Sequence, residues 1–179
     1  RAIVYVNTYE ADLTISHSRI CSNNGPMMSL IESRSKLTII NTTIADNAVD
    51  SSLSGANGGD CLIWASNDNS DISIADSAIT GNTLAKSGKG LFYNQRGSMN
   101  VEYSDISKNT ADNFVGSTAT ITANNNWWAT NDQPDTNVDK WVIMNVVLDD
   151  SNLTDGNEIT LTIDFNHVKT SSGAVEELT

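Results

Sequence analysis

The sequence predicts an all-β fold: a right-handed parallel β-helix of about five coils, followed by part of an immunoglobulin-like β-sandwich. Three observations predict it, namely a repeat of alternating apolar residues, an asparagine at a fixed place in each repeat, and a change in the residue pattern near residue 140. Hydrophobic residues make up 39% of the 179 residues and aromatic residues 6%, and much of the remainder is Ser, Thr, Asn and Gly. This composition suits a β structure with many turns.

Five segments share one pattern: apolar, x, apolar, x, x, small hydroxyl residue, x, apolar, x, x, Asn. The fifth follows it loosely. Such alternation is typical of a strand with one buried face, whereas helical repeats would place apolar residues three and four positions apart. The segments start 24, 35, 27 and 22 residues apart, which predicts a constant core with insertions at one corner. The five starts are Leu13, Leu37, Ile72, Met99 and Ile121.

A further strand is predicted before each segment, which gives the three short strands per turn of a parallel β-helix. Corner loops are predicted at residues 49–59 and 84–90, where turn-forming residues cluster. Cys61 is predicted in the core, too far from Cys21 for a disulfide. The inward residues of the further strand are predicted to be Val4, Val6, Met28, Leu30, Ile63, Ala65 and Phe92.

An asparagine comes three residues after the third apolar position in every segment. Asparagine tolerates left-handed backbone angles at turns, and stacked side-chain amides hydrogen-bond to one another from one coil to the next. The phase therefore predicts a structural asparagine ladder. Its members are Asn23, Asn47, Asn82, Asn109 and Asn131.

Three tryptophans, Trp127, Trp128 and Trp141, mark the end of the repeats. Large aromatic side chains at the last coil would cover an apolar core that is otherwise open to water. Alternatively, the same rings would stack on sugar rings, with Trp127 as the exposed member. Both roles stay open at this point.

The chain is predicted to divide into a β-helix over residues 1–140 and the N-terminal part of an immunoglobulin-like domain over residues 141–179. Strands are predicted at 141–148, at 158–165 and from Val175 onward. Three strands cannot close a sandwich, so the chain is expected to be a piece of a longer protein. Its exposed strand edges are expected to pair, for example in an oligomer.

The acidic balance of the chain narrows the classes of partner. Ten basic residues against 22 acidic ones give a formal net charge of −12, which disfavours nucleic acid and anionic membrane surfaces as partners. No apolar run is long enough to span a membrane, so no membrane insertion is expected in this segment. No Cys and His spacing indicates zinc, and no cofactor is expected. A calcium site at Asp149, Asp150 and Asp155 is only weakly indicated.

The repeats and the segment 125–134 resemble the parallel β-helix repeats and closing motif of adhesin-like surface proteins of methanogenic archaea. In that family an immunoglobulin-like, invasin-type repeat commonly follows, as it would here from Trp141. The family usually has glycine where this chain has Ala129. The resemblance implies an extracellular cell-surface protein that attaches to a glycan or protein of another cell or host surface.

Two alternatives to adhesion remain. Many parallel β-helices degrade polysaccharides with paired carboxylates, but Asp76 and Asp105 occupy different columns of the repeat, with Glu102 close by. The expectation is therefore no catalysis. The other alternative is a structural spacer of the cell surface. Possible glycosylation sites are Asn41 and Asn152, each followed by the required Thr two positions later.

Overall fold

The structure is a computed structural model that describes residues 2–50, 61–84, 89–148 and 159–179. Within these residues the fold is all-β, without a helix. The strands are β1 (Val4–Val6), β2 (Asp12–Ser16), β3 (Arg19–Cys21), β4 (Asn24–Pro26), β5 (Ser29–Ser33), β6 (Lys36–Ile40), β7 (Thr43–Ala45), β8 (Ala48–Asp50), β9 (Cys61–Ala75), β10 (Ala78–Thr80), β11 (Thr83–Leu84), β12 (Phe92–Glu102), β13 (Val115–Ser117), β14 (Thr120–Thr122), β15 (Asn126–Trp127), β16 (Lys140–Leu148), β17 (Leu161–Thr170) and β18 (Val175–Glu177).

The first sheet is parallel and joins the repeats in sequence order. Strands β2, β6, β9, β12 and β14 pair in that order, while β1, β5 and β13 extend the same sheet beside them. This confirms the alignment of the five repeats, because their predicted starts are register partners. The partners are Leu13, Leu37, Ile72, Met99 and Ile121.

Two further parallel sheets follow the same order of repeats. The second contains β3, β7 and β10, and single bridges through Asp105 carry it to β15. The third contains β4, β8 and β11, with a bridge from Thr83 to Thr110. Each early repeat therefore contributes a strand to every sheet, and each strand lies beside its counterpart in the next repeat.

One predicted strand register is wrong. Val4 pairs with Ile31, and Ile31 pairs with Ile63, so Ile31 rather than Met28 or Leu30 holds the inward position shared by these strands. The reason is a corner of variable length: Val4 lies nine residues before its repeat start, but Ile31 lies only six before Leu37. Leu30 is buried nonetheless, and Met28 packs against a small outer cluster with Cys61, Trp64 and Tyr93.

The core lies between the three sheets and consists mainly of aliphatic side chains. Leu37, Ile39 and Ile44 of one repeat are fully buried, as are Ile74 and Ile79 of the next. Their burial follows from the pattern, since the alternate residues of each strand point to the same side.

The corner between the first and second sheets has the same backbone conformation in all five repeats. The residue four positions after each repeat start has a positive φ between 48° and 58°. The next residue is a small polar one, and from the second repeat onward its side-chain oxygen accepts a hydrogen bond from the backbone N–H of its counterpart in the preceding repeat. The positive-φ residues are His17, Asn41, Asp76, Tyr103 and Asn125.

These small polar residues form a ladder of their own, the hydroxyl ladder. Small hydroxyl residues recur at this place in the sequence pattern, but the pattern did not predict the hydrogen bonds between them. Thr42 N–H donates to Ser77 Oγ at 3.2 Å, Ser77 N–H to Ser104 Oγ at 3.1 Å, and Ser104 N–H to Asn126 Oδ1 at 2.9 Å. The hydroxyl group of Ser77 in turn donates to the carbonyl oxygen of Ala75 at 2.7 Å. Each small polar residue thus satisfies backbone groups that the corner would otherwise leave unpaired.

Four of the five predicted ladder asparagines are joined in sequence. Asn23 donates to Asn47, Asn47 to Asn82, and Asn82 to Asn109, each through both its backbone N–H and its side-chain amide at 2.9–3.1 Å. The prediction for Asn131 is wrong, because this residue does not join the ladder. Its side chain instead hydrogen-bonds to the backbone of Met144 in β16. In the four repeats that form the ladder, a residue with a positive φ directly precedes the asparagine, whereas in the fifth repeat that residue is Ala129, two positions before Asn131.

The C-terminal strands continue the second sheet. β16 pairs in parallel with β15, and β17 and β18 follow in antiparallel order. The predicted boundary at 140/141 falls inside β16, whose Trp141 and Ile143 belong to the main core cluster. Beyond this point the hairpin leaves an apolar face exposed to solvent. The exposed residues on it include Ile159, Leu161, Ile163 and Phe165.

The two predicted corner loops begin later than expected. Val49 lies in β8 and Leu84 in β11, and both are buried. Residues 51–60 and 85–88, which make up most of the two predicted loop segments, lie outside the described residues, as do Asp149, Asp150 and Asp155. No disulfide joins Cys21 and Cys61. In the part of the chain that the structure describes, no helix is long and apolar enough to cross a membrane.

Candidate functional site

The end of the repeats is closed by aromatic side chains. Trp128 and Trp141 are 6% and 2% exposed and belong to the main core cluster together with Val138. Trp128 packs edge-on against Phe114 with ring centroids 5.6 Å apart, and the Trp141 indole N–H donates to the carbonyl oxygen of Asn131 at 3.3 Å. Their burial at the end of the repeats favours the predicted capping role over sugar stacking for these two residues.

Trp127 has a different environment, because strand alternation turns it to the outer side of the second sheet. It pairs with Asp105 of the preceding repeat on one side and with Val142 of β16 on the other. Its ring packs edge-on against Phe165 at 5.0 Å between centroids and stays partly exposed. Of the three predicted tryptophans it is therefore the one that a ligand can reach.

A cavity of about 260 Å³ lies beside Trp127 on this outer side. Tyr103 and Asn125, the positive-φ corner residues of the last two repeats, line it together with Asp105. The C-terminal segment completes it, because Leu178 lines the cavity and the Tyr103 hydroxyl donates to the carbonyl oxygen of Thr179 at 3.4 Å. The site thus combines two aromatic rings with a carboxylate and an amide.

Among the polar groups of this cavity, the Asp105 carboxylate has a hydrogen-bond partner and one side-chain oxygen of Asn125 has none. Asp105 accepts the backbone N–H of Ser107 through Oδ1 at 3.1 Å, which holds the carboxylate in place. The buried Oδ1 of Asn125 has no hydrogen-bond partner among the described residues. A buried acceptor without a donor costs about 1–3 kcal/mol, so a donor such as a hydroxyl group that reached it would be stabilised there.

A second, more polar cavity of about 350 Å³ lies on the C-terminal hairpin. Asp164, His167 and Glu177 line it, and His167 Nδ1 lies 2.8 Å from Asp164 Oδ1. The Asn145 amide donates to Asp164 Oδ2 at 3.0 Å. Hydrogen bonds from Asn145 and His167, with a further one from the Asn166 backbone, hold the pKa of Asp164 below its ordinary value.

The acidic residues considered for catalysis lie in different columns of neighbouring repeats. Asp76 shares its column with Tyr103, whereas Asp105 shares its column with Ala78 and Trp127. Within the described residues, no three His, Cys, Asp or Glu side chains lie close enough together to hold a metal ion.

The two predicted glycosylation sites have different outcomes. Asn41 is exposed at a corner with φ of 48°, where its side chain is accessible, while Thr42 is buried in the hydroxyl ladder. Asn152 lies outside the described residues.

The sequence matches no protein-family model, and no curated protein and no solved structure is significantly similar to it. Function is therefore inferred from the residues and geometry above.

Proposed function

We propose that the chain is an adhesion module of an extracellular cell-surface protein and that it binds a glycan in the cavity beside Trp127. Its scaffold would be a right-handed parallel β-helix, and residues 141–179 would begin an immunoglobulin-like domain, as the resemblance to archaeal adhesin-like proteins implies. The pairing of equivalent strands from successive repeats in three parallel sheets supports the proposed β-helix scaffold.

The observation that carries the proposal is the combination of Trp127 and Tyr103 with Asp105 and Asn125 around one cavity. A sugar presents an apolar ring face that packs on an aromatic ring, and hydroxyl groups that donate to carboxylate and amide oxygens. At about 260 Å³ the cavity is somewhat smaller than the roughly 300–1,000 Å³ of typical small-molecule sites. It suits one sugar residue, and the nearby carboxylate favours a neutral sugar over an acidic one.

A glycan array probed with the 179-residue chain, followed by calorimetry on any hit, tests the proposal. Trp127→Ala is expected to abolish binding, and the unfolding midpoint should fall only by the loss of the edge-on contact with Phe165, because the ring is outside the main core. Tyr9→Ala is the matched control, since Tyr9 is an exposed aromatic residue in the first repeat and lies outside the cavity. Binding that survives Trp127→Ala would exclude this cavity, and absence of binding to every glycan would overturn the proposal in favour of a spacer or a protein receptor.

A polysaccharide-degrading enzyme is the second candidate, and the polar cavity with Asp164, His167 and Glu177 is the observation that favours it. Glycoside hydrolysis uses two carboxylates, one of them protonated as a general acid. Asp164 does not suit the acid role because its pKa is lowered. Release of reducing ends from a polysaccharide, lost in Glu177→Gln, would support the enzyme; no release across a polysaccharide panel would exclude it.

A further inference from the structure

The cavity beside Trp127 lies at one end of a longer strip on the outside of the fold. Its lining residues come from the fourth and fifth repeats, from β16 and from the segment after β18. One of them, Val142, is the register partner of Trp127 on the side away from the third repeat. In the other direction, the strip continues from the cavity toward the third repeat, along the corner between the first and second sheets.

Two rows of side chains border this strip. One row consists of the positive-φ corner residues, and those of the first three repeats are exposed. The other row is the outward column of the second sheet, in which each residue is the register partner of the next. Every repeat therefore adds an equivalent pair of side chains. The pairs are His17 with Arg19, Asn41 with Thr43, Asp76 with Ala78, Tyr103 with Asp105, and Asn125 with Trp127.

The hydroxyl ladder lies between the two rows. Ser104 lines the cavity and is buried, as are its counterparts Ser77 and Thr42 in the third and second repeats. The buried row beneath the cavity thus continues under the strip, with exposed corner residues on one side and the partly exposed Ala78 and Thr43 on the other. Because Ala78 has only a methyl side chain, the strip stays open directly beside the cavity. It is therefore a shallow groove that leads away from Trp127.

The spacing of this groove is set by strand pairing. The strands of the second sheet pair without a register shift, so each repeat advances the groove by about 4.8 Å. This distance is close to the length of one sugar residue in an extended glycan chain. A β1,4-linked chain is extended, whereas an α1,4-linked chain coils. The groove therefore matches a β1,4-linked glycan in both its repeat length and its shape.

The side chains along the groove suit neutral sugars. The Asp76 carboxylate accepts hydrogen bonds from sugar hydroxyl groups, and the Asn41 amide and the Thr43 hydroxyl both donate and accept them. The Ala78 methyl group offers an apolar contact to the face of a sugar ring. Two carboxylates, those of Asp105 and Asp76, lie in successive repeats and would repel an acidic sugar, so the groove favours a neutral one.

We propose that the site beside Trp127 takes an extended, neutral, β1,4-linked glycan of at least three sugar residues. One sugar residue occupies the cavity against Trp127. The second lies over Ala78 beside Asp76, and the third contacts Asn41. This inference rests on the proposed glycan-binding function, and it adds the class of the glycan and the direction in which the glycan lies.

NMR titration of the 179-residue chain with two series of probes tests this inference. One series is glucose, cellobiose and cellotriose, and the other is N-acetylglucosamine with its β1,4-linked dimer and trimer. In at least one series the trimer is expected to bind at least about tenfold more tightly than the monomer, because the added sugar residues gain hydrogen bonds in the groove. Maltotriose is the matched control probe, since it contains the glucose of cellotriose in α1,4 linkage, and it should show no such gain.

Two variants separate the groove from the cavity. Asn41→Gly removes the side chain and suits the positive φ at this corner, so it should weaken trimer binding several-fold and leave monomer binding unchanged. Thr38→Ala is its matched control, because Thr38 belongs to the same repeat but lies on the outer side of the first sheet. Ala78→Ile should also weaken only the trimer, since its branched side chain suits a strand and stands in the path of the second sugar residue.

Three results would overturn this inference. One is that no probe binds, or that the trimer binds no more tightly than the monomer in both β1,4-linked series. Another is an equal gain for maltotriose, and the third is a gain that survives both Asn41→Gly and Ala78→Ile. Monomer binding that Trp127→Ala abolishes, without any gain for the trimers, would retain the cavity as the site of a single sugar residue. That outcome distinguishes failure of this inference from failure of the proposed function, which the glycan array decides.

Discussion

The side-chain amide of Asn47 donates to the side-chain carbonyl of Asn82 at 2.9 Å, although the two residues are 35 positions apart in the chain. Asn82 is fully buried and also donates to the carbonyl oxygen of Ile44 at 2.9 Å. The ladder therefore gives hydrogen-bond partners to the side-chain amides of Asn47 and Asn82 and to the backbone carbonyl group of Ile44. The asparagine side chains are buried, and a buried polar group without a partner costs free energy.

Replacement of the central rung is expected to destabilise the chain strongly. Asn82→Ala removes four side-chain hydrogen bonds and leaves the buried N–H of Asn47 without its acceptor. The expected loss of unfolding free energy is about 2–4 kcal/mol, measured by urea denaturation. Asn23→Ala, at the open end, should cost less. A loss for Asn82→Ala no larger than for the control Asn100→Ala would contradict the structural role of the ladder.

Four of these asparagines could be predicted because their phase in the repeat is constant, but Asn131 could not be excluded from the ladder. Its spacing from Ile121 is regular, yet the ladder requires the strand path as well as the spacing. The left-handed residue directly precedes the asparagine in the four ladder repeats but lies two positions before it in the fifth, at Ala129, and the Asn131 side chain bonds β16 instead. The register error at Ile31 has a similar cause, since corner length varies independently of the apolar pattern.

The cavity could not be predicted from the sequence. Its aromatic wall was foreseen only in part, through the expectation that Trp127 is exposed. Tyr103 and Thr179 are 76 positions apart, and nothing in the repeat pattern indicates that the C-terminal segment returns to the last repeats. A pattern of apolar residues in one sequence indicates local periodicity. The contact between Tyr103 and Thr179 depends instead on how the final hairpin joins the second sheet.

The hydroxyl ladder makes a separate prediction for Ser77. Its Oγ accepts the N–H of Thr42, and its own N–H donates to Ser104. Ser77→Ala leaves the buried N–H of Thr42 unpaired and should lower the unfolding free energy by about 1–2 kcal/mol. Ser18→Ala, in the first repeat, is the matched control and should cost less. Equal losses at the two positions in thermal or urea unfolding would show that burial of the ladder does not determine its contribution.

The lowered pKa of Asp164 makes stability depend on pH in a defined direction. A carboxyl group whose pKa is lower in the folded chain stabilises it above the ordinary carboxyl pKa, and this contribution is lost as the pH falls through the folded value. Asn145→Ala removes the largest cause and should raise the pKa of Asp164 toward the ordinary 3.8. NMR titration of the carboxyl carbon measures this shift. The pKa should stay unchanged in Asn113→Ala, and an unchanged value in Asn145→Ala would contradict the assigned cause.

Ala129 offers a substitution that should stabilise the chain. Its φ of 60° lies in the left-handed region, where a Cβ atom crowds the backbone and glycine does not. Ala129 is also exposed, so Ala129→Gly removes little packing. The relief of strain outweighs the added freedom of the unfolded chain, and the expected gain is about 1 kcal/mol in unfolding free energy. Ala174→Gly is the control, because Ala174 is exposed but has no positive φ, and it should lose stability instead. A loss at both positions would show that the turn after Trp128 is not strained by alanine.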